Sequence, residues 1–162
     1  MNELDPVAEA IARRLTARGE SVAVAESAAG GLIAAALLGV AGASAYFKGG
    51  VVVYTGEGKQ RLAGMSPEDL AASRSATAPH TLRLARAIGE RLGATWAVAE
   101  TGAAGPAGNR YGDAAGHAAL AVVGPVEQTE ILETGASDRR ANMAAFALAA
   151  LRLLQQTLER AE

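Results

Sequence analysis

The sequence predicts an α/β fold, a single domain over residues 1–162 in which a mixed sheet is covered by helices on both faces. Three observations lead there. Short runs rich in valine and alanine alternate with longer runs of helical periodicity along the chain, the order that builds a helix-covered sheet. No linker or composition break divides the 162 residues, a length that suits one core. Late in the chain, two strand-like runs flank Gly124-Pro125. That hairpin signal makes the sheet mixed rather than wholly parallel.

The elements follow in order. Pro6 to Arg18 carries Val7, Ile11 and Leu15 on one helical stripe, and Gly19 is placed to end it. SVAVAE (21–26) is a short buried strand. Gly30 to Leu38 is apolar nearly all round, which predicts a buried helix. GGVVVYT (49–55) has the β-branched centre of a second strand, and Glu57 to Leu62 reads as a helical turn. Ser66-Pro67-Glu68-Asp69 is a helix start, with a serine cap, proline in the first turn and an acid three residues on. A long helix is expected over Ala78–Leu92, then a third strand over 94–100. Residues 101–116 have the glycines of an extended loop. HAALAVVG (117–124) and EQTEILET (127–134) form the hairpin. A final helix over 138–160 puts Met143, Ala147, Ala150, Leu151, Leu154 and Leu158 on one face. No internal repeat or low-complexity tract is evident.

Composition narrows the function classes. Formal net charge is −2, whereas domains that grip a nucleic acid backbone usually carry a basic surplus. Nucleic acid is therefore a disfavoured partner. The chain has no cysteine, which excludes disulfides, a thiol nucleophile and thiolate metal sites. No apolar run approaches the roughly 18 residues of a membrane span, and the N-terminus lacks a signal peptide's basic-then-apolar order. The expected setting is cytoplasmic, with no membrane partner. Of 15 lysines and arginines only two are lysines, Lys48 and Lys59. Arginine does not deprotonate in proteins, while a desolvated lysine can serve as a base, so each lysine is a candidate.

Three segments could carry chemistry. AVAESAAGG (23–31) lies between a strand and a helix. Its small residues would let backbone N–H groups approach an anion, yet it matches neither a nucleophile elbow nor a Walker A loop. A plain tight turn fits equally well. Next, Ser44 precedes the second strand and Lys59 follows it. A serine and a neutral lysine make a hydrolytic dyad if they meet. The ends of a six-residue strand are about 20 Å apart, so meeting requires the flanking loops to fold back. A helix cap is the plainer role for Ser44. Finally, TGAAGPAG (101–108) could expose N–H groups to an oxyanion or phosphate, or could be a surface loop. The two histidines, His80 and His117, lack metal-ligand spacing and read as surface or satisfied residues.

Four motifs occur together: AES-x-x-GG at 25–31, AG-x-S-x-YF at 41–47, G-x-V-x-YT-x-E-x-K at 50–59, and TG-x-AGP at 101–106. In that order they resemble the CinA C-terminal domain family, over nearly the whole chain. The resemblance implies a single α/β/α domain. It also implies hydrolysis of the carboxamide of nicotinamide mononucleotide to nicotinate mononucleotide and ammonia, a step of pyridine nucleotide recycling. Ser44 would be the nucleophile and Lys59 its base, with Tyr54 orienting the dyad or the ring. Ser27, Gly30 and Gly31 would line the substrate, as would Thr101 and Gly102. The family arginine falls on Arg140, with Arg139 as the other choice. No metal and no organic cofactor are implied, and self-association, as a homodimer or higher, is. The chain departs from the family pattern at three places. Ala28-Ala29 stands for Cys-Thr, Ala114-Ala115-Gly116 for Pro-Val-Gly, and Gly135-Ala136-Ser137 for Gly-Asp-Arg. These departures keep open a catalytically altered nucleotide-binding relative. The family's competence and DNA-damage association suggests an accessory role as a further alternative.

Overall fold

The computed structural model describes residues 2–162. The elements run α1 (Leu4–Arg18), β1 (Val22–Glu26), α2 (Leu32–Leu38), a 3-10 turn (Ala43–Ala45), β2 (Phe47–Val52), α3 (Gly56–Arg61), α4 (Pro67–Ala72), α5 (Ala78–Leu92), β3 (Trp96–Ala103), β4 (His117–Val123), β5 (Gln128–Glu133) and α6 (Arg139–Arg160). The sheet order is β2-β1-β3-β4-β5. β1 pairs in parallel with β2 and β3, and the β3–β4 and β4–β5 pairs are antiparallel. This is the expected α/β fold with a mixed sheet. No helix among the described residues is long and apolar enough to cross a membrane.

Alternation along the strands sorts the core into two layers. Val22, Val24, Trp96 and Val98 face α1, α2 and α6, in a cluster with Ile11, Leu15, Ile33, Leu37, Phe146 and Leu154. Ala23, Ala25, Ala97 and Ala99 face the other way, toward Leu84, Ala85 and Ile88 of α5. Successive strand residues point to opposite faces, so each V-A pair supplies one bulky and one small side chain. The small face lets α5 approach closely. A Cβ on Gly89 would lie 3.1 Å from that of Ala97.

Local signals account for most boundaries. Gly19 and Gly93 take the left-handed conformation that closes α1 and α5. Ser66 Oγ accepts the Asp69 N–H at 3.0 Å and starts α4. Thr77 caps α5, which begins at Ala78 as expected. Three expectations are corrected. β2 spans 47–52 rather than 49–55, because Val53 N–H makes a last bond to Glu26 O and Thr55 then caps α3. α2 is not buried all round: only Ile33 and Leu37 are buried, while Leu38 is exposed. β3 extends through Thr101-Gly102-Ala103, which belong to the sheet and not to a loop. Gly102 makes that pairing possible, since a Cβ there would stand 2.7 Å from His117 O and 2.9 Å from Ala118 Cβ.

Candidate active site

The chain leaves β1 toward β2 on one side, and β3 returns on the other side of β1. Ligands of open α/β sheets bind at such a switch point, outside the carboxyl ends of the strands. A cleft of about 680 Å³ lies there, a size typical of small-molecule sites. Ser27 follows β1, Thr101 and Gly102 end β3, and all three line the cleft together with Tyr54 and Lys59.

The scarcity of lysine is informative. Lys48 is exposed on β2, whereas Lys59 is 3% exposed. Burial pulls Lys59 down to about 8, against the pull of the Glu100 carboxylate, which favours its charged form. Its Nζ lies 2.5 Å from Ser75 Oγ and 2.9 Å from His80 Nε2. His80 Nδ1 faces the Ser73 carbonyl at 3.1 Å. A carbonyl only accepts, so Nδ1 carries the proton and Nε2 presents a lone pair to the lysine. Burial and the adjacent lysine push His80 down to about 4, so this imidazole is neutral.

The first glycine loop is not an anion cradle. Its N–H groups are already engaged by two fully buried carboxylates. Glu26 accepts from Gly31, Ile33 and Ala34 at 3.1, 2.9 and 2.9 Å. Glu100 Oε2 accepts from Ser27 and Ala29 at 3.1 and 2.8 Å. Burial raises Glu26 and raises Glu100 to about 7, against the lowering effect of these N–H donors. Gly30 and Gly31 do not line the cleft. They have positive φ, 68° and 103°, and serve the turn that aims α2 at Glu26. Ala28 and Ala29 are buried in the α1/α2/α6 core layer rather than on a substrate wall. Their departure from the family pattern therefore changes packing, not the cleft surface.

The remaining expected residues divide. Tyr54, Ser27, Thr101 and Gly102 line the cleft. Ser44 does not: it is exposed in the 3-10 turn that precedes β2, while Lys59 lies beyond the other end of that strand. Six residues of strand span about 20 Å, and the two residues flank opposite ends of it. Arg140 forms no bond to the cleft, whereas Arg139 donates to Gly105 O at 2.6 Å and to Tyr54 Oη at 3.2 Å. Of the two arginines, Arg139 is the one hydrogen-bonded to a residue that lines the cleft, Tyr54. Both histidines are satisfied residues, as expected. His117 bonds Glu133 through Nδ1 and donates Nε2–H to Ala76 O at 2.8 Å. Burial opposes its charge, but the Glu133 and Ala76 bonds outweigh that and raise its pKa.

Sequence reasoning missed Glu26, Glu100, Ser75 and the role of His80. A signal existed for the carboxylates. AVAES (23–27) and AVAET (97–101) are echoes of one another, set side by side in register by Ala23↔Ala97 and Ala25↔Ala99. It also missed a cationic rim. Arg110 stacks over Tyr111 at 4.9 Å, as does Arg74, whose guanidinium is tied to Asp113 at 2.8 and 3.3 Å.

Fold and cleft together define a three-layer α/β protein with a cleft of small-molecule size at the carboxyl edge of its sheet. The chain belongs to the CinA family: the model of the CinA C-terminal domain matches residues 4–158. It is 38% identical over 154 residues to a CinA-like protein of Anaeromyxobacter sp. (strain K), covering 95% of this chain and 38% of that one. A CinA-like protein of Acidobacterium capsulatum is 42% identical over 134 residues, covering 81% of this chain and 32% of the relative. The chain thus spans well under half the length of these curated relatives. Among solved structures, a CinA superfamily protein from Klebsiella pneumoniae 700603 superposes with a TM-score of 0.90 at 29% identity, covering 98% of this chain and 99% of that one. A competence/damage inducible protein from Agrobacterium tumefaciens gives 0.89 at 31% identity, covering 98% and 97%.

Proposed function

We propose that this domain is an amidohydrolase that converts nicotinamide mononucleotide to nicotinate mononucleotide and ammonia. The observation that carries the reading is Lys59, a nearly buried amine at about 8 that borders the cleft. A base works best with a pKa near the working pH and within reach of the proton it removes. Burial brings Lys59 toward the first condition, and its contact with a hydroxyl meets the second. Neutral Lys59 takes the proton of a serine hydroxyl as that oxygen attacks the carboxamide carbon. The resulting ammonium then protonates the departing nitrogen, and ammonia leaves an acyl ester. Water, deprotonated by the same lysine, hydrolyses the ester.

The cleft surface suits the rest of such a nucleotide. Arg110, bonded among side chains only to Tyr111 Oη, is free to face a phosphomonoester. Tyr54, held by Arg139, offers a ring edge to the pyridine side of the cleft. Self-association belongs to the same proposal. β2 is an edge strand with Val52 exposed, and Leu38 of α2 is exposed as well, an apolar edge that a second copy would cover. A dyad of Ser44 and Lys59 would require that second copy. The test is ammonia release from nicotinamide mononucleotide by the purified protein. Wild type is expected to turn over and Lys59→Met to lose roughly 10²–10⁴ of the rate, the usual worth of a general base. Equal background from both would end the amidase reading.

A further inference from the structure

We infer that His80 is a positioning residue for Lys59: its ring accepts one N–H of the amine in both protonation states, so the lysine lone pair is kept for the other groups of the cleft. The inference rests on the reading of Lys59 as the base and adds what aims it. His80 Nε2 lies 2.9 Å from Lys59 Nζ, and the two residues are 2% and 3% exposed.

The direction of that bond is fixed from behind the ring. His80 Nδ1 meets the Ser73 carbonyl at 3.1 Å, and a carbonyl only accepts, so Nδ1 carries the proton and Nε2 the lone pair. The segment that holds this carbonyl is itself pinned. Ser73 Oγ accepts from Arg83 at 3.0 Å, and Arg74 is tied to Asp113 at 2.8 Å. Ala76 is held at a φ of 61° by its N–H bond to Thr101 and its carbonyl bond from His117. Alanine takes that conformation only where its surroundings impose it. The Ser73 carbonyl is thus set in place for a single tautomer.

The charged ring is excluded as well. His80 stands in the first turn of α5, three residues past the Thr77 cap, where the helix dipole disfavours a cation. Lys59 on α3 and Arg83 on α5 add positive charge beside it, and burial acts in the same sense. Asp69 on α4 opposes them, but it lies 3.8 Å from Arg83. From the sheet, Glu100 on β3 is the charge that faces Lys59.

A neutral amine has two N–H bonds and one lone pair, and an ammonium has three N–H bonds. A lysine lone pair turned to Nε2 would face another lone pair. One N–H is therefore committed to His80 in either state. Ser75 Oγ, the other contact at 2.5 Å, belongs to a hydroxyl that donates or accepts. Ser75 can follow the protonation of the lysine, whereas His80 stays the same. Lys59 then takes up and gives back its proton on the positions that the ring does not hold.

The experiment is NMR of protein with isotope-labelled lysine and histidine side chains. Only two lysines and two histidines are present, so Lys48→Arg and His80→Gln assign every signal. It needs no nucleotide and stands apart from the amidase assay. Wild type is expected to show a neutral His80 with Nδ1 protonated and Nε2 bare. An Nε2–H tautomer, or an imidazolium at neutral pH, overturns the inference, and this spectrum decides even where a variant does not fold. In His80→Leu the ammonium loses its acceptor. Bonds to charged groups are the stronger ones, so the Lys59 midpoint should fall further, by about 0.5–1 pH unit. A ring that merely filled space gives the opposite sign, since a loosened core admits water and lifts Lys59 toward its ordinary value. His80→Gln offers a side-chain carbonyl in place of Nε2 and should keep the wild-type midpoint. A midpoint that rises or stays in His80→Leu, or falls equally in both variants, overturns the inference. In ammonia release, kcat should drop roughly 10–10²-fold in His80→Leu with KM kept, and be largely restored in His80→Gln. If the NMR pattern holds but wild type releases no ammonia, the amidase reading fails and the positioning of Lys59 stands.

Discussion

AVAES, which runs one residue past β1, and AVAET, within β3, are nearly the same five residues and lie side by side in register. Their carboxylates nevertheless differ in use. Both oxygens of Glu26 are occupied by N–H groups at the start of α2. Glu100 gives one oxygen to the loop after β1, and its Oε1 is buried with no partner. A saturated carboxylate is a helix cap with a structural duty. A half-used one is an electrostatic element, and Glu100 is the carboxylate whose charge opposes deprotonation of Lys59. One short motif thus builds a support at one strand end and a tuning charge at the next.

The largest expected effect breaks the support. Glu26→Ala strands three N–H groups at the head of α2. Leaving buried donors unsatisfied costs about 1–3 kcal/mol each, and partial solvation of Gly31 and Ala34 reduces the total. A loss of about 4 kcal/mol is expected in denaturant unfolding. A loss under about 1 kcal/mol would mean that Glu26 does not hold α2.

Glu100→Gln sharpens the other side. The carboxyl sits at about 7 in the fold against 4.5 in the open chain. A raised carboxyl gives stability that is full below 4.5 and is lost as pH rises through 7, about 3 kcal/mol in all. His80 works in the opposite sense. Its pKa falls from 6.5 to about 4 on folding, so its contribution is full above 6.5 and is lost as pH falls toward 4, again about 3 kcal/mol. In the wild type the two trends nearly cancel. With Gln at 100 the Glu100 trend is gone while every other group titrates as before, so relative to the wild type stability should drop by about 3 kcal/mol from pH 7 to 4.5. The same variant removes the charge that favours protonated Lys59, and the rise of activity with pH should move to lower pH. A profile that parallels the wild type's would refute the buried-charge account of Glu100.

The sequence made much of this fold readable and less of its site. The α5 boundaries came out as expected because a Thr77 cap and a Gly93 stop mark them locally. Lys59 stood out because lysine is rare in this chain. Ser44 and Lys59 are near along the chain, but they flank opposite ends of β2, and closeness along the chain says nothing of distance across a strand between. Gly30 and Gly31 suggested free N–H groups, and only the fold reveals Glu26 in the place of a ligand anion. Ser75 and His80 lie 16 and 21 residues from Lys59, and no period or motif links such separations. Their meeting depends on the path from α3 through α4 to α5, a tertiary fact.

The smallest expected effect separates the two hydroxyls that close the motifs. Thr101 is 1% exposed and fully engaged, accepting from Ala76 N–H and sharing a hydrogen bond with Thr81. Ser27 is 8% exposed and lines the cleft. Replacing Thr101 by valine keeps the shape but orphans the Ala76 donor, so about 1–2 kcal/mol of stability should go. Ser27→Ala leaves no buried donor without a partner, and unfolding should shift by less than about 0.5 kcal/mol. If Ser27 contacts substrate equally before and during reaction, KM should rise a few-fold with kcat kept, because such a contact lowers both energies alike. A large fall in kcat for Ser27→Ala would instead place its hydroxyl in the reaction itself. The two strand ends would then have exchanged the roles that their hydrogen bonds assign.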